Sequence, residues 1–334
     1  MSLTIRPYRT VAALAEAIQQ GDRRALAKAL SLVESKRKQD IALTVELLER
    51  LYPRTGTAYR IGISGMPGVG KSTFVNAFGM YLIEQHRYTI AVLAIDPSSV
   101  RSGGSILGDK TRMWELARHP GAFIRPSPSS GMLGGIAPAT REAVLLCEAA
   151  GFDVIFVETV GVGQTDTAIA DIVDFVLLFL LANAGDELQG IKRGIMEIAD
   201  AIIINKADGK LRSLAEQARR HLVSALRLLV PPTAPWKPPV LLCSAVEHTG
   251  FDEIWATIHR YFTDDATASL RQQRRREQQL RWFHQAIQQS LTHLFYSHPD
   301  IQPLLPEYEE KIRSQQLLPL KGAYELLQRF QTSL

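Results

Sequence analysis

The chain has little of what would place it outside the cytosol. Cys147 and Cys243 are its only two cysteines, far apart and in apolar segments, which excludes a disulfide scaffold and suits a reducing compartment. The longest apolar stretch, 172–184, is broken by Asp174 and too short to cross a bilayer. Residues 1–20 lack the continuous apolar run of a signal peptide. Charge of one sign is also scarce: the net charge is +4, so no global field argues for nucleic acid or a membrane surface. The run Arg271, Arg274, Arg275, Arg276 and Arg281 has no interleaved aromatics and reads as a solvated helix face. The eight histidines are scattered, and His284 and His293 are too far apart for one helical turn, so a transition-metal cluster has no sequence support. The expectation is a cytoplasmic protein with no nucleic-acid partner and no membrane partner.

What is present is concentrated in two short stretches. Gly65-Met66-Pro67-Gly68-Val69-Gly70-Lys71-Ser72 fits the pattern of Gly, four residues and Gly-Lys-Ser. It follows an apolar strand at 60–64 and opens into a helical run beginning at Thr73, the context that motif requires. Its glycines let consecutive backbone N–H groups face an anion, and the helix N-terminus adds its positive dipole end. Lys71 can reach the β- and γ-phosphates, and Ser72 can give an oxygen to magnesium.

The second stretch is Asn205-Lys206-Ala207-Asp208, at the C-terminal end of the apolar strand Ile202-Ile203-Ile204, where open α/β sheets bind ligands. A carboxylate there accepts from N1–H and the exocyclic amine of guanine. Opposite adenine it would be buried and unpaired. Leu241-Leu242-Cys243-Ser244-Ala245 is a strand leading into a small-residue loop that supplies the base edge. The nucleotide-binding set is therefore Gly65, Met66, Pro67, Gly68, Val69, Gly70, Lys71, Ser72, Thr73, Asn205, Lys206, Asp208, Ser244, Ala245 and Val246, with GTP and GDP favoured over adenine nucleotides.

The remainder organises around that pocket. Periodic apolar positions over 10–51 suggest three helices, with breaks at Gly21-Asp22 and Gln39-Asp40. Strands are expected at 60–64, 89–95, 122–124, 154–157, 175–180, 201–204 and 240–242, alternating with helices, which implies a mostly parallel sheet covered on both faces. After Phe262 only helix formers remain, in segments near 266–295, 304–315 and 320–330. The fold class is thus α/β, a P-loop NTPase with flanking helices. It divides into an N-terminal helical arm (1–56), a G domain (57–264) and a C-terminal helical extension (265–334).

Hydrolysis needs magnesium opposite the phosphate loop and a segment that senses the γ-phosphate. Asp96 and Glu158 at strand ends and Asp109 in a Gly-rich loop are candidate metal-site acids. For Asp109, capping the helix that follows is a competing role. Glu158-Thr159-Val160-Gly161 stands where Ras-like GTPases carry Asp-x-x-Gly, and Gly161 can offer its N–H to the γ-phosphate. Gln164 is not placed to orient water. Two further Gly-rich segments, 102–112 and 184–193, join strand ends to helices and can respond to the nucleotide state.

Together, Asp96-Pro97-Ser98-Ser99, the segment 103–112, Glu158-Thr159-Val160-Gly161-Val162-Gly163-Gln164 and the segment 185–192 resemble the MeaB/ArgK family of P-loop GTPases, relatives of the methylmalonic aciduria type A protein. The resemblance runs from about residue 25 to the C-terminus. It implies a homodimeric, magnesium-dependent GTPase that chaperones adenosylcobalamin-dependent methylmalonyl-CoA mutase, gating cofactor loading and protection. By position it assigns Lys71 and Lys192 to catalysis, Ser72, Asp96, Asp109 and Glu158 to the metal, and the C-terminal helices to the dimer. Val100-Arg101-Ser102 and Asn183 depart from residues common in relatives. Other readings are an arginine/ornithine transport-system kinase, a metal-insertion GTPase and a non-hydrolysing scaffold.

Overall fold

The computed structural model describes residues 7–35, 37–96, 113–128, 139–159, 168–182, 193–231 and 233–333. Among the described residues seven strands form one sheet: β1 (Tyr59–Gly65), β2 (Ile90–Asp96), β3 (Ala122–Pro128), β4 (Val154–Thr159), β5 (Phe175–Leu181), β6 (Ala201–Asn205) and β7 (Val240–Leu242). Their order is β3-β2-β4-β1-β5-β6-β7, and every neighbouring pair is parallel. The α/β fold class read from the sequence is the one observed. Each expected strand is present, most extended by a residue or two. β3 is longer, because its second half pairs with β2 through Asp96↔Pro128.

The strands are continuous apolar runs because both faces are covered. On one face Ile61, Ile63, Val92, Phe156, Leu177, Phe179 and Ile203 pack with the helix after the phosphate loop and the last helix of the sheet domain. On the other, Ala91, Leu93, Ile155, Val157 and Val176 pack with the N-terminal helices, while Leu178, Leu180, Ile202 and Ile204 form a third cluster toward β7. The alternation within each strand decides which face a residue serves.

The helices are α1 (Val11–Gln19), α2 (Arg23–Val33), α3 (Lys38–Leu51), α4 (Lys71–His86), α5 (Trp114–Arg118), α6 (Ala139–Ala149), α7 (Arg193–Ile198), α8 (Arg212–Leu229), α9 (Phe251–Thr263), α10 (Asp265–Tyr296), α11 (Leu305–Arg313) and α12 (Pro319–Thr332). The N-terminal region does form three helices, and Asp22 caps α2 by accepting from the N–H groups of Arg24 and Ala25. The second break falls earlier than the expected Gln39-Asp40. Asp40 lies in the first turn of α3, where a carboxylate favours the helix N-terminus, and it is fully buried, accepting from Ser35 Oγ at 2.7 Å. These helices are one layer of the sheet domain: Arg23 donates to the carbonyls of Ala122 and Pro120, and Arg125 on β3 pairs with Glu34 at 2.5 Å.

Residues up to Gln273 form one compact unit and those from Arg274 a second. In the second, Phe295 and His298 meet Phe330 edge to face, Ile301 is fully buried, and Tyr308 donates to Glu325 at 3.2 Å. Along α10, Leu280, Phe283, Ile287, Leu291 and Leu294 are exposed at spacings of three or four residues, one face of a helix. Among the described residues no helix is long and apolar enough to cross a membrane.

Candidate nucleotide site

Because all seven strands run the same way, the ends of β1, β2, β4 and β6 and the residues after β7 meet at one edge of the sheet. That edge holds those sequence-predicted residues that are described. β1 ends at Gly65, whose space is bounded by the backbone of Phe179 on β5, so no side chain fits there. Gly68 and Gly70 have φ of +79° and +96°, left-handed conformations that glycine adopts without strain. Gly70 is the N-cap of α4 and supplies no side-chain cap, so the N–H groups of the first turn point into the loop. Lys71 is buried, and its ammonium donates to the carbonyls of Gly65 (2.6 Å) and Met66 (3.1 Å), lying across the mouth of the loop. Pro67, Val69 and Thr73 complete the loop and first turn, with Val69 buried.

Ser72 Oγ donates to Glu158 Oε1 at 2.7 Å, bringing the start of α4 to the end of β4. Two of the expected metal-site residues are therefore adjacent, and Asp96 ends β2, the neighbour of β4. A hydroxyl and carboxylates are hard oxygen donors. Magnesium characteristically takes one or two such groups and completes its shell with water and substrate phosphate, so these residues fit it. Among the described residues no group of three or more His, Cys, Asp or Glu is placed to hold a metal.

The end of β6, with its Asn-Lys-x-Asp stretch, is fastened to this loop. Asn205 is buried. Its Nδ2 donates to Val69 O at 2.8 Å, while its Oδ1 accepts from Ala245 N at 3.3 Å. Lys206 adopts a left-handed φ of +59°, uncommon outside glycine, and its Nζ donates to Gly68 O at 2.9 Å. Asp208 Oδ2 accepts from Ser244 Oγ at 2.5 Å. Ser244 Oγ also accepts from Glu247 N at 3.1 Å, and Ser244 pairs with Thr249 in an antiparallel bridge that closes the loop holding Val246. Ser244 thus orients the Asp208 carboxylate, the group expected from the sequence to meet guanine. Burial pushes the thiol of the neighbouring Cys243 up to about 12, so it is no nucleophile at neutral pH.

Asp109, Gly161 and Lys192 lie outside the described residues, as do Gln164, the segment 102–112, most of 184–193, Val100-Arg101-Ser102 and Asn183. One contact behind the loop was invisible in the sequence: Thr159 Oγ1, buried at the end of β4, lies 3.4 Å from Ser64 Oγ on β1. Only strand order makes them neighbours.

A glycine-built phosphate loop at a parallel-sheet edge, clamped by an Asn-Lys-x-Asp strand end, defines a P-loop GTPase. The family described as Methylmalonyl Co-A mutase-associated GTPase MeaB matches residues 26–300, and the chain belongs to it. A Mycobacterium tuberculosis protein named "Probable GTPase Rv1496" is 50% identical over 320 residues, covering 96% of this chain and 95% of that one. The mouse methylmalonic aciduria type A homolog, mitochondrial, is 42% identical over 344 residues, covering 99% and 82%. Among solved structures, one titled LAO/AO transport system kinase superposes with a TM-score of 0.71 at 38% identity, covering 96% of this chain and 97% of that one.

Proposed function

We propose that the chain is a GTP-hydrolysing chaperone of an adenosylcobalamin-dependent acyl-CoA mutase, methylmalonyl-CoA mutase being the first candidate. It acts in the cytosol, and its nucleotide state gates cofactor loading, protection or reactivation. The observation that carries the reading is the junction of Asn205 and Lys206 with the carbonyls of Val69 and Gly68, which joins base recognition to the phosphate loop in a chain of the MeaB family.

In that reading the N–H groups of the first turn of α4 and the Lys71 ammonium hold the β- and γ-phosphates, and Asp208, oriented by Ser244, accepts from guanine. Ser72, Asp96 and Glu158 would hold magnesium, with Asp109 a further donor. The metal would neutralise charge developing on the phosphates. Gly161 senses the γ-phosphate, and Lys192 takes part in turnover when the partner is bound. The exposed apolar face of α10 supports a homodimer.

The test is a pull-down from native lysate with GDP compared with a non-hydrolysable GTP analogue. Nucleotide-dependent recovery of a cobalamin-dependent mutase supports the proposal, and its absence with both opposes it. The likeness to the structure titled LAO/AO transport system kinase raises a second reading. Incubation with GTP and a periplasmic amino-acid-binding protein separates the two: free phosphate without labelled protein favours hydrolysis, and labelled protein favours the kinase.

A further inference from the structure

Helix α5 has an unusual start. Its N-cap, Met113, makes no side-chain capping bond, yet the Leu116 N–H in its first turn is paired. The acceptor comes from another helix: Asn76 Oδ1 receives Leu116 N at 3.1 Å, while Asn76 Nδ2 donates to Glu115 Oε2 at 2.8 Å. A backbone N–H can only donate and a carboxylate only accept, so both ends of the Asn76 amide have fixed roles. Asn76 is 9% exposed, Met113 and Leu116 are fully buried, and Leu116 packs so closely on Gly79 that a Cβ there would lie 2.8 Å from it.

Asn76 lies about one turn beyond Lys71 and Ser72 on α4. Through α5 it joins the first half of α4 to the residues that lead into β3. An unpaired N–H in a short first turn would fray α5 and loosen its packing on α4, the helix that begins at the phosphate loop. Resting on the reading of the pocket as a GTPase site, we propose that Asn76 is a positioning residue for turnover, capping α5 from the helix that carries Lys71 and Ser72. It touches no nucleotide in this role, so its loss lowers kcat and leaves affinity intact.

The experiment uses the full chain and four variants: Asn76→Ala, Asn76→Asp, Glu115→Gln and the pair Asn76→Asp with Glu115→Gln. Aspartate keeps the acceptor for Leu116 but sets two carboxylates together, and glutamine at 115 restores a donor. Expected for Asn76→Ala and Asn76→Asp is about a tenfold fall in kcat for GTP, with KM and GDP affinity within about twofold. The pair should recover most of the loss, and Glu115→Gln alone should stay near wild type. Thermal melts accompany each assay: a kcat that falls and recovers while the variants remain fully folded at the assay temperature is a readout simple destabilisation would not give, and the pair decides the matter even if Asn76→Ala fails to fold. Asn76→Asp turning over at the wild-type rate, or a pair no faster than Asn76→Asp alone, overturns the proposal. Wild-type turnover is measured first: its absence overturns the reading of the pocket and this inference with it.

Discussion

Asn205 and Val69, 136 residues apart in the sequence, are joined by a 2.8 Å hydrogen bond from Nδ2 to the carbonyl oxygen. The strand end proposed to read the base thereby holds the loop proposed to bind phosphate. Disturbing either should disturb both.

Gly70→Ala tests that junction. The position has φ of +96°, and a Cβ would lie 2.7 Å from Asn205 Nδ2. We expect binding of GTP and GDP to weaken at least about tenfold, with a stability loss of about 1–3 kcal/mol. Gly21→Ala, at φ +79° with nothing within 4 Å, is the control for backbone strain alone and should leave binding unchanged. Calorimetry and thermal melts read both.

Asp208 should carry the guanine preference. Asp208→Ala is expected to lower the GTP-over-ATP preference about 100-fold, by removing the carboxylate that the guanine amine and N1–H require. Asp208→Asn presents an amide donor and should favour xanthine nucleotides, whose C2 carbonyl can accept from it. Competition binding with GTP, ATP and XTP measures this.

The two thiols should be silent in the native protein. Burial raises both, Cys243 to about 12 and Cys147 further. At pH 8 iodoacetamide should label neither until denaturant is added. An unfolded thiol ionises near its ordinary value of about 8.5 while the folded one stays protonated. The unfolded state therefore binds fewer protons above that pH, and stability falls as pH rises from there toward 12. Urea titrations between pH 7 and 10 should show the midpoint dropping, and less so in Cys243→Ala.

Leu291→Glu places a charge in the exposed apolar face of α10 formed with Leu280, Phe283, Ile287 and Leu294. If that face pairs with a second copy, the variant should sediment as a monomer where the wild type sediments as a dimer, with intrinsic GTP turnover unchanged.

Much of this was legible in the sequence because it is local. The phosphate loop, the Asn-Lys-x-Asp strand end and the seven apolar runs each announce themselves within a few residues, and buried parallel strands give continuous apolar segments. Asn205, Lys206 and Ser244 stood out in the sequence as candidates for the site, but not what they hold. The bonds to Val69, Gly68 and Asp208 depend on strand order, which no local pattern encodes. The same holds for Asn76, which reads as an ordinary helix residue until α5 is folded against it. Asp40 misled for a different reason: a polar pair looks like a helix break, but a carboxylate paired with Ser35 can sit buried inside a first turn.

The most direct test is isothermal titration of GDP, GTP and ATP into the purified chain with magnesium, followed by a phosphate-release assay on the same material. The account predicts heat with GDP and GTP, none with ATP, and slow phosphate release from GTP. No heat with either guanine nucleotide would contradict it.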